Sequence, residues 1–299
     1  MFRLAHLSDP HLGPLPEPTL KELASKRVLG YINWQRNRAG KLTPQYLNGL
    51  LTDIADQNVD HIAVTGDVIN LALDDEIPLA AEWLGTLGSP DRVSLVPGNH
   101  DAYVAGALDT LIETWAPFMS GDDPAEAKRF PYMRARGPVA IVGASSAEAT
   151  APFMATGYFR APQAARLEKL LRAAGERDLF RVILIHHPPV RDVAVWPRGL
   201  IGGSRFRDVI RRVGADLILH GHTHKNDFKH IPGPNGPVPV IGISSASFEP
   251  GTRRAGAAYN LFEIERNGAG FRCVKIRRGH DTPTSGVVEQ ARDELGSAT

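Results

Sequence analysis

The chain has 299 residues, 42% of them hydrophobic, enough for one large or two ordinary domains with a sizeable core. Its 34 Lys and Arg against 33 Asp and Glu leave a formal charge of +1, so no overall field argues for nucleic acid or an acidic partner. A single cysteine, Cys273, excludes an internal disulfide and fits a reducing compartment, and no apolar run approaches the roughly 20 residues of a membrane span.

Phe2 to Leu7 reads as a short buried strand that ends in Asp9-Pro10-His11. With one Arg and so short an apolar stretch, Met1 to Leu7 does not read as a signal peptide, and a cytoplasmic protein is expected, any membrane contact being peripheral at the inner face. Residues 13–41 read as an insert placed to form a lid. From Lys21 to Lys41 it carries Lys21, Lys26, Arg27, Arg36, Arg38 and Lys41 against Glu22, interleaved with Leu23, Val28, Leu29, Tyr31, Ile32 and Trp34. That mixture suits an anionic interface such as a membrane surface; the alternative is an ordinary amphipathic helix packed on the body or on another subunit.

Thr43-Pro44 marks an N-cap with proline at the first helical position, and Leu47, Leu50, Leu51, Ile54 and Ala55 share one face of the helix that follows. Ile62 to Thr65 is a strand delivering Gly66-Asp67. Trp83, Leu84 and Leu87 mark a helix before the strand Val93 to Val96, which delivers Gly98-Asn99-His100-Asp101. Ala164, Leu167, Leu170 and Leu171 mark another helix before Val182 to Ile185 and the cluster His186-His187-Pro188-Pro189. Leu217 to Leu219 then leads into Gly221-His222-Thr223-His224, with His220 read as a strand-end residue. This alternation predicts parallel strands whose carboxyl ends bring all five loops to one edge. Ile231 to Pro237 reads as a loop. Val238 to Ile243, Ala257 to Ile264 and Phe271 to Ile276 follow without an intervening helix and predict an antiparallel second sheet, Cys273 being a packed strand residue. Residues 1–280 are thus expected to form one catalytic domain of the layered α/β sandwich class, and 281–299 a frayed tail or terminal helix.

Six of the eleven histidines fall in these clusters. Taken singly, each cluster reads as a turn or cap, because Gly and Asn tolerate positive φ. Their order, each after a buried strand, argues for a two-metal hydrolase. Asp, Asn and His offer oxygen and nitrogen donors suited to Mn, Fe or Zn, with no thiolate among them. A carboxylate can bridge ions about 3.5–4 Å apart, and Asp9 and His11, alternating around Pro10, point the same way.

The clusters resemble the pattern of the calcineurin-like metallophosphoesterase superfamily, Asp-x-His, Gly-Asp, Gly-Asn-His-(Glu/Asp), His and Gly-His-x-His, over Asp9 to His224. The resemblance implies a four-layer α/β/β/α sandwich with mixed sheets. It implies one ion held by Asp9, His11, Asp67 and His224 and another by Asp67, Asn99, His186 and His222, two divalent or mixed-valence ions with Mn expected in recombinant protein. Of the adjacent pair, His186 takes the family's ligand position and His187 a supporting one. His100 resembles the non-ligand histidine that stabilises developing charge or protonates the leaving oxygen, and Asp101 is expected to orient its loop. Protein phosphatases of the family carry Asp where this chain has Asn70; an amide there is similar to bacterial glycerophosphodiesterase-type members and points to diesters.

Phe2 to Gly13, Leu29 to Trp34, Pro97 to Tyr103 and the His186 region look like rhizobial members that include phospholipases C. The expected activity is therefore phosphodiester hydrolysis, with phosphocholine or phosphoethanolamine release from phospholipids as the preferred reading and cyclic nucleotide or glycerophosphodiester hydrolysis as the alternative. A choline group calls for aromatic or acidic neighbours, with Tyr31, Trp34, Tyr103, Tyr158 and Trp196 as candidates by type; a purine would stack on an aromatic as well. A nuclease needs a phosphate-tracking surface, and the cations Arg191, Arg198, Arg205, Arg207, Arg211 and Arg212 are tempered by Asp192 and Asp208. A non-catalytic scaffold of this fold would have lost ligands that this chain keeps. Oligomeric state is left open.

Overall fold

A computed structural model of the chain describes residues 1–37, 42–126, 129–191, 193–194, 196–252, 254–268 and 270–296. Arg38, Lys41 and Asp192, counted above in the charge patches, lie outside them. The elements run β1 (Phe2–Leu7), α1 (Leu20–Leu23), α2 (Arg27–Asn37), α3 (Pro44–Asp56), β2 (His61–Val64), α4 (Glu76–Leu87), β3 (Val93–Leu95) and α5 (Ala107–Trp115). There follow β4 (Tyr132–Arg136), β5 (Val139–Gly143), β6 (Gly157–Tyr158), α6 (Ala161–Glu176), β7 (Phe180–Leu184), β8 (Leu200–Ile201) and α7 (Gly203–Val213). The chain ends with β9 (Leu217–His220), β10 (Phe228–Gly233), β11 (Gly236–Gly242), β12 (Ala258–Asn267), β13 (Gly270–His280) and β14 (Val287–Leu295).

Two six-stranded mixed sheets form, in the orders β14-β13-β12-β1-β2-β3 and β10-β11-β9-β7-β5-β4. Period-2 alternation along the second sheet decides the layering. Val139 and Ile141, Val182 and Leu184, and Leu217 and Leu219 pack into the large core shared with the first sheet and helices α3 to α5. Val142, Ile183 and Ile218 face the other way, onto Leu167 and Leu171 of α6 and Phe206 and Ile210 of α7. The result is the expected α/β/β/α sandwich.

The late strands do not build a sheet of their own. β12 pairs antiparallel with β1, Phe2 opposite Ile264, and so closes an edge that β1 would otherwise present to solvent. β11 instead joins the second sheet, parallel to β9. The proline-rich stretch 231–237 is no simple loop but the tip of a hairpin, with Gly233 opposite Gly236. Pro232 is tolerated because β10 is an edge strand with no outer partner, and Pro237 because β11 pairs with β9 only from Val240 on. Residues 287–295, read as frayed tail or helix, form β14 against β13. Their low apolar content suits an outer edge strand, where Lys275–Asp293 at 2.8 Å and Arg272–Glu294 at 2.9 Å pair across it.

The insert is fastened to the body. Lys26 Nζ donates to the Thr150 carbonyl at 2.7 Å and Arg27 donates to the Leu71 carbonyl at 3.1 Å and to that of Ala72. Glu22 accepts the Asp74 amide at 3.0 Å. A Cβ on Gly30 would lie 2.4 Å from the Tyr103 hydroxyl, so α2 packs against the body at closer range than any other residue type allows. Val28, Leu29 and Ile32 face outward.

On the far side of the first sheet, Asp53 of α3 accepts a forked pair of bonds from Arg278 at 2.6 and 2.8 Å and one from the Tyr259 hydroxyl at 2.6 Å. Burial works against ionisation of Asp53, yet these donors hold its carboxyl below the usual range. Its stabilisation is therefore present above the unfolded carboxylate value of about 4 and disappears as pH falls through the lowered folded value. Asp53→Asn is expected to lose about 2 kcal/mol at pH 7 and much less at pH 2–3, as read by denaturant unfolding at both pH values.

Candidate active site

Each cluster lies just beyond a strand's carboxyl end: Asp9 and His11 after β1, Asp67 after β2, Asn99 to Asp101 after β3, His186 after β7, His222 and His224 after β9. The first three strands belong to one sheet and the last two to the other, so the site occupies the seam between sheets and not the edge of one. Gly221 donates to the His186 carbonyl within the second sheet, while Asp9 donates to Gly66 and His11 to Asp67 within the first.

Five of the residues carry left-handed backbone, with φ of 51° at Asp9, 42° at His11, 52° at Asp67, 68° at His222 and 53° at His224. Each such residue costs about 1 kcal/mol against extended or helical backbone, and a cluster of them is the signature of a site held by its surroundings. Gly98 and Gly221 allow close approach: a Cβ would stand 2.2 Å from Asp67 Oδ1 at Gly98 and 1.9 Å from Ser8 Oγ at Gly221.

Two groups of donors converge. Asp9, His11, Asp67 and His224 place ligand atoms within 4.8 Å of one another. In the second group, Asn99 Oδ1 lies 2.9 Å from His222 Nδ1 and 3.2 Å from His186 Nε2. Asp67 spans both: Oδ1 accepts the His100 amide at 2.8 Å, while Oδ2 stands 3.4 Å from His186 Nε2 and 3.9 Å from His11 Nε2. His187 lies near the second group, but its ring nitrogens are taken by Ser146 Oγ at 2.8 Å and the Ala155 carbonyl at 3.2 Å. Burial, with His222 and His186 alongside, pushes it well below the ordinary histidine value, which keeps it a neutral packing residue.

The donor set fits two cations. Asp9 and Asp67 are buried with no Lys or Arg paired to either among the described residues, and buried carboxylates demand a counter-charge. His11 Nε2 faces His224 Nε2 at 3.4 Å, an arrangement that needs a proton or a metal between two lone pairs. The remaining ring nitrogens donate to backbone carbonyls: His11 to Ile69 at 3.3 Å, His186 to Thr65 at 2.7 Å and His222 to Arg198 at 2.9 Å. These bonds fix the tautomers and aim the free nitrogens at the shared space. Burial opposes a charge on His186, yet the adjacent Asp67 carboxylate raises it to about 9; burial and the neighbouring His186 push His222 down to about 3.

Asp101 accepts the amides of Val68 at 2.9 Å, Ile69 at 3.1 Å and Gly98 at 2.7 Å, tying the β2 and β3 loops together. His100 Nδ1 donates to Asn70 at 2.6 Å, but to its main-chain carbonyl. The Asn70 side-chain amide donates to the Leu12 carbonyl at 2.8 Å. The ring plane of His100 is set by edge contact with His11 and stacking on Tyr103, with centroids 5.0 and 5.7 Å away. Sequence reading missed the carbonyls of Thr65, Ile69 and Arg198, since every residue has one. It also passed over Lys225 and Arg254, which with Arg198 line an open cavity of about 650 Å³ above Asp67, Asn99, His100, His222 and His224.

This fold and site define a dinuclear phosphoesterase. The sequence matches the calcineurin-like phosphoesterase family over residues 2–226, and the chain belongs to that family: it is a metal-dependent phosphoester hydrolase. It is 26% identical over 226 residues to the glycerophosphodiester phosphodiesterase GpdQ of Enterobacter lignolyticus (strain SCF1), covering 74% of this chain and 70% of that one. A dimetal phosphatase from Danio rerio shares the fold with a TM-score of 0.65 at 14% identity, over 96% of this chain and 98% of that one. A purple acid phosphatase from yellow lupin (Lupinus luteus) aligns with a TM-score of 0.55 at 14% identity, over 99% of this chain and 53% of the other. No helix among the described residues is long and apolar enough to cross a membrane.

Metal content measured by plasma mass spectrometry after Mn loading is expected to fall from two ions per chain to none in Asp67→Ala and to one in Asn99→Ala. Asp101→Ala leaves three buried amides without an acceptor and is expected to lower stability by about 3 kcal/mol, seen as a reduced melting temperature.

Proposed function

We propose that the chain hydrolyses small polar phosphodiesters of the glycerophosphodiester type. Asp9, His11, Asp67 and His224 would hold one metal, and Asp67, Asn99, His186 and His222 the other. The two ions, when bound, supply Lewis-acid charge against the phosphoryl oxygens and a water of lowered pKa. The donor set, nitrogen and oxygen without thiolate, suits Mn, Fe or Zn; Cys273 is buried in β13.

The observation that carries the reading is the chemistry of the cavity wall. Apart from Ala155 and Ala255 its described lining is polar or charged, with no Phe, Tyr or Trp. A purine finds no Phe, Tyr or Trp face to stack on, and an acyl chain finds no apolar trough. Tyr31 and Trp34 stack on each other at 6.5 Å, Tyr103 lies under Lys26, and Trp196 lines a separate cavity. The name of the relative GpdQ supports the same class.

Within this reading His100 is the proton carrier. Its Nδ1–H is committed to the Asn70 carbonyl, so Nε2 serves the substrate and can deliver a proton to the leaving oxygen. Asp101 and Asn70 act as positioning residues, holding the loops that carry Asp67 and His100.

One observation favours a second reading, headgroup release from intact phospholipid. Leu29 and Ile32 of α2 are exposed, as are Phe153 at 86% and Trp196 at 69%, and each stands within four residues of the cavity-lining Asn33, Ala155 or Arg198. Such a rim could rest on a lipid surface while the insert borders the site.

Metal-loaded protein is expected to turn over glycerophosphoethanolamine faster than phosphatidylethanolamine vesicles, 3′,5′-cyclic AMP or phosphomonoesters. Preferential cleavage of the vesicles would install the second reading, and turnover confined to cyclic AMP would defeat both. His100→Asn is expected to lower kcat about 10²–10⁴-fold with metal content unchanged, the loss shrinking for a p-nitrophenyl leaving group that needs no proton.

A further inference from the structure

Three cations ring the cavity above the metal-binding residues, and nothing described so far employs their side chains. Arg198 comes from the loop before β8, Lys225 follows His224 directly, and Arg254 comes from the loop before β12. All three are exposed. No ion pair reaches any of them among the described residues, whereas Arg160, Arg172, Arg181, Arg212 and Arg278 elsewhere are each paired to a carboxylate. Arg198 is fixed at its main chain by the bond from His222, and Arg254 lies over the Phe248 ring with 5.4 Å to the centroid. Asp67 is the only acidic residue in the described lining.

The reacting phosphodiester carries a single charge. Two divalent ions set against the carboxylates of Asp9 and Asp67 already supply enough positive charge to meet it, so three further cations have no partner at the reacting centre. They come from three separate loops and share one cavity, which concentrates their potential over the part of the substrate that does not react. Unpaired cations in a cleft raise the local concentration of anions and repel ammonium groups.

We infer that Arg198, Lys225 and Arg254 select diesters whose non-reacting end bears a second anionic group, a phosphate or carboxylate, over those ending in choline or ethanolamine. This rests on the diesterase reading above and narrows its substrate class. It also reverses the expectation that aromatic or acidic groups would cradle a cationic headgroup.

The test compares kcat/KM of metal-loaded protein for three diesters: bis(glycerophospho)glycerol, with a second phosphate; glycerophosphoglycerol, with a neutral end; and glycerophosphocholine, with a cationic end. The expected order is anionic, neutral, cationic, with the anionic preference weakening between low and high salt. Arg198→Gln and Arg254→Gln should each cut the anionic-to-cationic ratio about five-fold, and Arg254→Glu should cut it further, each variant retaining two bound ions. Equal or better use of glycerophosphocholine, or a ratio that these variants and salt leave unmoved, overturns the selection while leaving the diesterase reading intact. Hydrolysis of none of the three overturns the diesterase reading and the selection with it.

Discussion

Two carboxylates, Asp9 and Asp67, are buried at the seam between the sheets, with His11, His186, His224 and Asn99 close by. A carboxylate removed from water is costly unless an opposite charge replaces its hydration, and here no Lys or Arg among the described residues does so. The field of the pair is visible in His186, raised to about 9 against the effect of burial. A divalent ion satisfies the same field with more charge and without a proton, and this need organises the rest: strand ends meet where the carboxylates must be, and the carbonyls of Thr65, Ile69 and Arg198 aim the imidazoles.

The seam explains the strain. A residue at the end of a parallel strand must turn sharply to point its side chain across to the other sheet, and the left-handed backbone of Asp9, His11, Asp67, His222 and His224 does that. Asp and His tolerate this region better than β-branched residues do. Asp101 offsets part of the cost by capping three amides of the loops on either side of Asp67. Candidate ligands and backbone strain thus coincide in the same residues.

The cavity wall is built from other parts. The candidate metal ligands come from strand ends of the sandwich, but the cavity above them is walled by α2, by the stretches containing Ala155 and Arg198, and by the segment around Arg254. These connections are less constrained by packing than the strands, which is where a family sharing one reaction centre diversifies its substrates.

The sequence by itself determined the family of this chain and its candidate metal ligands. Asp9, His11, Asp67, Asn99, His186, His222 and His224 stand in five short clusters, each after an apolar run, and both signals are local. The helices around Leu47 to Ile54 and Leu167 to Leu171 were legible for the same reason, a 3.6-residue period readable in one window. What needed tertiary structure depends on partners far apart in the chain. β12 sits beside β1 because that edge was open, which no period within 258–267 announces; β14 is a strand because β13 offers it a ladder, although its own composition suggests a tail. Asn70 supports His100 through a carbonyl, an atom every residue carries. Arg198 read as one of a run of cations, and Lys225 and Arg254 gave no local signal; the fold brings all three over one cavity, because electrostatic fields add in space and not along the sequence.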